Sequence, residues 1–337
     1  MKSIYDMTLN DLESYFLSIN NKKYRALQVY EWIYLKKAIN YESMTNLNKE
    51  LIDTLNSNLD IKQLKLVAKQ SDEDVNKYLF ELADGNKIET VLMKHNYGNS
   101  VCVSTQIGCN MNCSFCESGK NKKLRDLTVS EMVLQVLMVE QDITDRVSSV
   151  VLMGIGEPFD NYDNIIKFIR VINEDKGLKI GIRHITISTC GIIPKIKQLM
   201  TEDMQVNLAI SLHAPTNELR NKIMPINKVY NLDLLMETIN EYIRVTNRRV
   251  TFEYIMLDDI NDSENNALEL AKLLHGMNCY VNLIPYNKTS NESLKATKKD
   301  KIMKFYDILK KKNINVTVRR EFGSNIDGAC GQLRSQH

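Results

Sequence analysis

From residue 101 onward, short Val/Ile-rich runs alternate with longer amphipathic stretches, and this alternation restricts the possible folds more than any other feature of the chain. Strand candidates fall at 101–106, 148–153, 184–188, 206–212, 250–256, 280–285 and 314–319. Helix candidates lie among them at 128–142, 162–173, 193–200, 232–245, 263–275 and 297–312. Thr128-Val-Ser-Glu131 reads as a capping box that opens the first of these helices. Strands this apolar need cover on both faces, so the pattern predicts an α/β fold, a parallel sheet with helices outside it. About six strand–helix units suffice for an open, partial barrel, in which reactive groups collect at the C-terminal ends of the strands. The sequence follows that rule. Cys109 comes after the first strand candidate and Gly156-Glu157-Pro158 after the second. Ser188-Thr-Cys190-Gly191 ends the third, Ser211-Leu-His213 the fourth and Pro285-Tyr-Asn287 a later one. Any one of these is ordinary turn chemistry; together they outline one pocket.

That pocket would face Cys109-Asn-Met-Asn-Cys113-Ser-Phe-Cys116, three thiols at C-x3-C-x2-C spacing between Gly108 and Glu117-Ser-Gly119. The segment is too short for a long regular element and reads as a compact loop that turns its sulfurs inward. Three thiolates suit three irons of a four-iron cluster, leaving the fourth iron open to a small ligand. The alternative is a structural zinc site with Cys102 as fourth ligand, although such sites usually come as two separated cysteine pairs. The spacing resembles the radical S-adenosylmethionine (SAM) superfamily. The resemblance implies that SAM binds the open iron and is split to a 5′-deoxyadenosyl radical. Gly156-Glu157-Pro158 is similar to that superfamily's element for the SAM amino group. Glycine lets the backbone approach a ligand, and a carboxylate accepts hydrogen bonds from an ammonium.

Residues 1–60 read as a small helical domain. Leu9, Leu12, Phe16 and Leu17 repeat at helical spacing, as do Leu27, Tyr30, Trp32, Ile33 and Leu35, and a third helix candidate covers 47–59. Lys22, Lys23 and Arg25 sit at the turn between the first two helices, a candidate patch for nucleic-acid contact. From 61 to 98 the period changes to two. Residues 75–82 and 87–93 flank Asp84-Gly85, a β-hairpin signal, with Glu89 in the second strand. The barrel and a reactive C-terminal segment then occupy 99–337. No run of 18 apolar residues appears and the N-terminus lacks an apolar core, so we expect no membrane span, no signal peptide and a cytoplasmic location. The net charge of +2 means that nucleic-acid contact must come from local patches. Lys120 to Arg125, Arg248-Arg249, Lys310 to Lys312 and Arg319-Arg320 are further candidates. Seven cysteines, an odd number in a chain of this size, point to metal or thiol chemistry and away from a disulfide scaffold. Cys190 and Cys279 read as small hydrophobes.

A closer resemblance rests on YRALQVYEWIY, CVSTQIGCNMNCSFC, LMGIGEP, LAISLHAPTNELRNKIMPIN, VNLIPYN and IDGACGQL. Together they look like the RlmN/Cfr family of radical SAM rRNA adenine methyltransferases, over nearly the whole chain. The resemblance implies a partial (β/α)6 barrel joined to a helical N-terminal domain. It also implies that Cys109, Cys113 and Cys116 ligate a 4Fe–4S cluster. Gly156, Glu157, Ser188, Ser211, Leu212, His213 and Asn287 match positions that contact SAM, of which two molecules are used per turnover. Cys330 matches the cysteine that becomes S-methylated, Cys102 the second thiol that closes a disulfide with it, and Glu89 the proton acceptor. The implied substrate is an adenosine in the peptidyl transferase centre of 23S rRNA, met before full ribosome assembly. A tRNA adenosine beside the anticodon is a second target, an external electron donor a partner, and the enzyme a monomer. C2 and C8 of adenine lie between electronegative nitrogens and are poor nucleophiles, so a carbon radical is needed to methylate them. Glu157-Pro158, Leu208-Ala-Ile-Ser-Leu-His-Ala-Pro and Arg319-Arg320 look more like the C2 branch. The C8 branch, which gives antibiotic resistance, is the alternative. Glu117-Ser-Gly119-Lys120 and Cys190 depart from the residues usual at those places. Two other classes stay open. A glycyl-radical activase shares the cysteine spacing but has no need of Cys102 and Cys330; a zinc-stabilised RNA-binding protein would not be an enzyme.

Overall fold

The structure is a computed structural model and describes residues 1–287 and 289–319. Cys330 and Arg320 lie outside the described residues. Three helices open the chain: α1 (Leu9–Ser18), α2 (Lys23–Tyr34) and α3 (Lys49–Asn58). Thr8 caps α1 reciprocally. Its hydroxyl accepts from the Asp11 N–H and the Asp11 carboxylate accepts from the Thr8 N–H, both at 3.1 Å. Leu12, Phe16, Val29, Tyr30 and Ile33 turn inward, yet they build no separate core and are continuous with the core of the barrel. Tyr30 donates to the Val171 carbonyl at 3.3 Å. Asp6 accepts the Ser130 N–H at 2.7 Å, and Ser130 lies in the first turn of α4 (Val129–Ile143). The helical region thus sets a carboxylate on the positive end of the first barrel helix.

One ten-stranded sheet carries the rest: β1 (Lys65–Asp72), β2 (Val75–Glu81), β3 (Lys87–His95), β4 (Gly98–Cys102), β5 (Val147–Leu152), β6 (Ile185–Thr189), β7 (Asn207–Ser211), β8 (Val250–Met256), β9 (Cys279–Pro285) and β10 (Val316–Val318). Neighbours in the chain are neighbours in the sheet. Strands β4 to β10 run parallel. Their crossovers are α4, α5 (Tyr162–Asn173), α6 (Ile193–Leu199), the pair α7 (Asn217–Ile223) and α8 (Leu232–Thr246), then α9 (Glu264–Leu273) and α10 (Lys299–Lys311). This is the expected α/β architecture. Val150, Leu152, Ile187, Leu208, Ile210, Phe252, Val281 and Leu283 are fully buried, as strands covered by helices require.

Two details differ from the sequence reading. The hairpin at 75–93 is there, with Gly85 at φ +80° in its turn, but β1 and β4 flank it antiparallel, so these strands continue the barrel sheet. The edge strand β1 is exposed or half-buried throughout and so lacks a clean two-residue alternation. The strand expected over 101–106 ends at Cys102. Beyond it the backbone follows the loop after β5, with Thr105 N–H donating to the Ile155 carbonyl at 2.8 Å. Gln106 and Ile107 then pair antiparallel with Asp126 and Arg125, closing the base of the cysteine loop. No helix among the described residues is long and apolar enough to cross a membrane.

Asp6→Ala removes the carboxylate from the head of α4 and should cost about 1 kcal/mol of folding stability. A lower urea midpoint with an unchanged slope is the expected reading.

Candidate active site

The C-terminal ends of the parallel strands open on a cavity of about 370 Å³. Its first wall is the cysteine loop. Gly108 makes the entry turn at φ +80°, where a side chain would strike the Lys122 carbonyl. Inside the loop Cys109 N–H donates to Asn121 O at 2.9 Å and Cys116 N–H to Cys113 O at 3.1 Å. Ser114 N–H reaches Ile223 O at 3.0 Å, fastening the loop to α7. Glu117 clamps the far side: its carboxylate accepts from Ser290 N–H at 3.0 Å and Ser290 Oγ at 2.7 Å, and pairs with Lys120 at 3.3 Å. Burial would raise this carboxyl, but those hydrogen bonds and the Lys120 charge outweigh it and hold it below the usual range.

The second wall is the row of strand ends. Gly156 stands at φ +111°, and a Cβ there would come within 2.6 Å of Gln106 Cβ, so the approach demands glycine. Glu157 N–H donates to Gln106 Oε1 at 2.8 Å. Its carboxylate accepts from Phe159 N–H at 3.0 Å and Cys190 N–H at 2.8 Å. Burial pushes the carboxyl up and these amides oppose it. The Thr189 and Cys190 side chains also reach this carboxylate. Behind the wall, Arg220 is fully buried and donates to Cys190 O at 2.7 Å, Ser211 O and Leu212 O at 3.2 Å, and Asn227 Oδ1 at 2.9 Å. The His213 Nδ1 accepts the Ile255 N–H at 3.0 Å, so a neutral ring carries its proton on Nε2. Burial, with the Arg220 charge behind it, drives this imidazole down to about 3.

The third wall comes from the antiparallel strands. Register aligns Lys77, Val91 and Cys102 across β2, β3 and β4, all on the cavity face, with Glu89 two residues from Val91. Lys77 Nζ and the Glu89 carboxylate stand 3.4 Å apart with both side chains buried. Burial raises the Cys102 thiol to about 11, with Arg319 pulling the other way.

Cys102, Cys109, Cys113, Cys116, Glu89, Gly156, Glu157, Ser188, Ser211, His213 and Asn287 therefore share one cavity. Leu212 is not on its wall; the side chain is in the core and its N–H donates to Glu253 O at 3.1 Å. Cys190 lines the cavity and Cys279 starts β9, away from it. Lys77, Arg220 and Glu253 received no role from the sequence. Lysine and glutamate inside strands carry no local signal of burial, and the short helix α7 that carries Arg220 was not among the helix candidates. Lys23 pairs with Glu13 at 3.2 Å and Arg25 donates to Asn46 O at 2.6 Å, leaving Lys22 exposed beside them.

The donor set fits an iron–sulfur cluster. Among the described residues, the only trio of candidate ligand atoms within 4.8 Å of one another is that of Asp258, Asp259 and Asp262, where the Lys301 ammonium already sits. Cys109, Cys113 and Cys116 all line the one cavity, which suits a cluster whose irons are taken one per thiolate.

Comparison with known proteins agrees. The family model for the radical SAM superfamily matches residues 103–271, and that for a ribosomal RNA large subunit methyltransferase N-terminal domain matches residues 2–61. The chain is 52% identical to a protein of Spiroplasma citri named as a probable dual-specificity RNA methyltransferase RlmN, covering 100% of this chain and 98% of that one. Its counterpart of the same name in Geobacillus kaustophilus is 53% identical, covering 100% and 93%. The crystal structure of a radical SAM methyltransferase from Sphaerobacter thermophilus superposes with a TM-score of 0.94 at 40% identity, over 98% of this chain and 99% of that one.

His213 sets a pH dependence. An unfolded chain takes up its imidazole proton near 6.5, whereas the folded cavity admits one only near 3. Between those values the unfolded state binds more protons, so this contribution to stability is intact above about 6.5 and falls with pH. Urea denaturation of the metal-free protein at pH 7, 5 and 4 should show the decline, and His213→Gln should lessen it. Equal acid sensitivity in both proteins would mean that another group titrates.

Proposed function

The chain belongs to the RlmN family of radical SAM RNA methyltransferases, and from that premise we propose that it methylates C2 of an adenosine in the peptidyl transferase centre of 23S rRNA. The observation that carries this reading is the company the three cysteines keep. Cys102 and the Glu89–Lys77 pair face the same cavity, and neither is needed to hold a cluster. A general radical generator has no use for them; a transfer that passes through a protein thiol and ends in loss of a ring proton does.

Cys109, Cys113 and Cys116 would hold the 4Fe–4S cluster, with Gly156, Glu157, Ser188, Ser211, His213 and Asn287 around SAM and Leu212 contributing through its backbone. Cluster and SAM supply a carbon radical able to attack a ring carbon too electron-poor for polar methyl transfer, at two SAM molecules per turnover. The residues divide the remaining work. Cys330 carries the methyl group as S-methylcysteine. Glu89 accepts the C2 proton, with Lys77 compensating its charge. Cys102 attacks the Cys330 sulfur to release the product, closing a disulfide that an external electron donor reopens. Only a thiolate is a competent nucleophile, so Cys102, raised by burial, must lose its proton before that attack. On the RNA side, the helical region at 2–61 and its Lys22, Lys23 and Arg25 would grip the backbone. A phosphate need displace only weak surface contacts there. The target base must be reachable, which favours rRNA not yet fully assembled. The relatives are named as dual-specificity enzymes, which supports a tRNA adenosine beside the anticodon as second target, for an enzyme acting as a cytoplasmic monomer.

Mass spectrometry of 23S rRNA from cells lacking this chain and then complemented by it should recover 2-methyladenosine; 8-methyladenosine would move the enzyme to the C8 branch. Cys102→Ala should accumulate a covalent protein–RNA adduct through Cys330, visible as a slow band on a denaturing gel. Multiple turnovers without an adduct would remove Cys102 from the release step.

A further inference from the structure

The end of the barrel opposite the cavity carries a row of arginines held by neutral groups. Parallel strands all start at this end, so the residues just before β6 to β10 share one edge. The four residues before each of these strands bring Arg183, His184, Arg248, Arg249, His275 and Lys312, against the single acid Asp203. Arg183 donates from Nε and Nη2 to Gln205 Oε1 at 3.0 and 2.6 Å. Its carbonyl accepts from Asn207 Nδ2 at 2.7 Å, and Asn207 Oδ1 accepts from Arg248 Nη2 at 2.8 Å. The Arg249 guanidinium lies over the Tyr280 ring, 5.1 Å from its centroid. These contacts fix the arginines without neutralising them: among the described residues none of the three forms an ion pair, whereas Arg125 and Arg170 each face a carboxylate. Arg183 and Arg249 are exposed, and the Nε of the half-buried Arg248 has no acceptor. The C-terminus of α8 attracts cations to the turn after it, but that does not account for Arg183, two strands away.

We propose that this edge is a second RNA surface, which holds phosphates of a large substrate RNA far from the target base. Adjacent strands lie about 4.8 Å apart, so the row from β6 to β9 runs about 14 Å and meets several phosphates of one nucleic-acid strand. Arginine offers phosphate a planar fork and can do so while stacked on an aromatic ring. The seven residues of β8 put the row about 20 Å from the cavity. A partner seated there touches neither the reacting base nor the cysteine loop, which an electron donor has to approach. A folded ribosomal RNA is large enough to reach both ends of the barrel; a short stem-loop is not. The inference rests on RNA as substrate and is independent of which carbon is methylated, so a failed search for 2-methyladenosine would leave it standing.

Two RNAs separate this surface from the cavity: a transcript spanning the peptidyl transferase region of 23S rRNA, and a minimal hairpin carrying only the target loop. The triple variant Arg183→Gln, Arg248→Gln, Arg249→Gln, reconstituted with its cluster, should bind the long transcript about tenfold more weakly at moderate salt. The slope of log Kd against log salt should fall by about 2 to 3. In methylation assays kcat/KM for the long transcript should drop through KM with kcat unchanged, and kcat/KM for the hairpin should stay constant. Thermal unfolding verifies that the variant is folded. The double variant Arg183→Gln, Arg249→Gln spares the half-buried Arg248 and keeps the test open if the triple variant is not. Unchanged affinity and salt slope for the long transcript would overturn the proposal, whatever acidic protein the face then proved to bind. An equal fall in kcat/KM for both RNAs would also overturn it, because the effect would then lie at the cavity. The binding arm needs no turnover, so an error in the methylation reading does not disturb it.

Discussion

A guanidinium buried among carbonyl oxygens holds the cavity in shape. Arg220 gathers the carbonyls of Cys190, Ser211 and Leu212, which lie at or just past the ends of β6 and β7. Those strand ends present Ser211 and His213 to the cavity, and the Cys190 amide steadies Glu157. One turn further along the same helix, the Ile223 carbonyl receives the Ser114 N–H of the cysteine loop. The short helix α7 is thus bonded to two walls at once. Each carbonyl it ties is a backbone group that needs a donor once it is taken out of water.

Four carboxylates around the cavity show how position follows from partners. Glu117 is fixed by a serine and a lysine, Glu157 by two backbone amides, Glu89 by the buried Lys77, and Glu253 by one asparagine on one oxygen only. The first belongs to the scaffold of the cysteine loop. Glu157 is oriented by backbone amides from two different loops. Glu89 is matched in charge by a partner that itself lies on the wall. Among the described residues, Glu253 keeps one carboxyl oxygen without a hydrogen-bond partner. Such a spread of environments lets side chains of one chemistry take different tasks in a single pocket.

Much of this could be read from the sequence, for physical reasons. A parallel α/β sheet forces apolar strands to alternate with helices and places loops at one end, so Gly156, Glu157, Ser188, Ser211 and His213 could be collected without knowing any contact. The cysteine spacing is local and needs no tertiary information. What stayed hidden depends on register. Glu253 becomes the neighbour of Ser211 only when β7 and β8 align, and Lys77 reaches Glu89 only across a strand pair. A charged residue within a strand otherwise reads as solvent-facing. Strand β1, exposed along an edge, lacks the pattern by which strands are recognised.

The antiparallel strands that continue the barrel sheet have one further consequence. Side chains in a strand alternate between faces with a period of two, so the wall bearing Lys77, Glu89 and Cys102 is a matter of parity. A one-residue slip of β3 against β2 and β4 would turn Glu89 to the opposite side of the sheet while the cysteine loop stayed where it is. The turn at 96–97 can change length without that effect, because it lies outside the paired residues. What must be kept for the carboxylate and the thiol to face the same space is the pairing of β3, not the length of the chain between them.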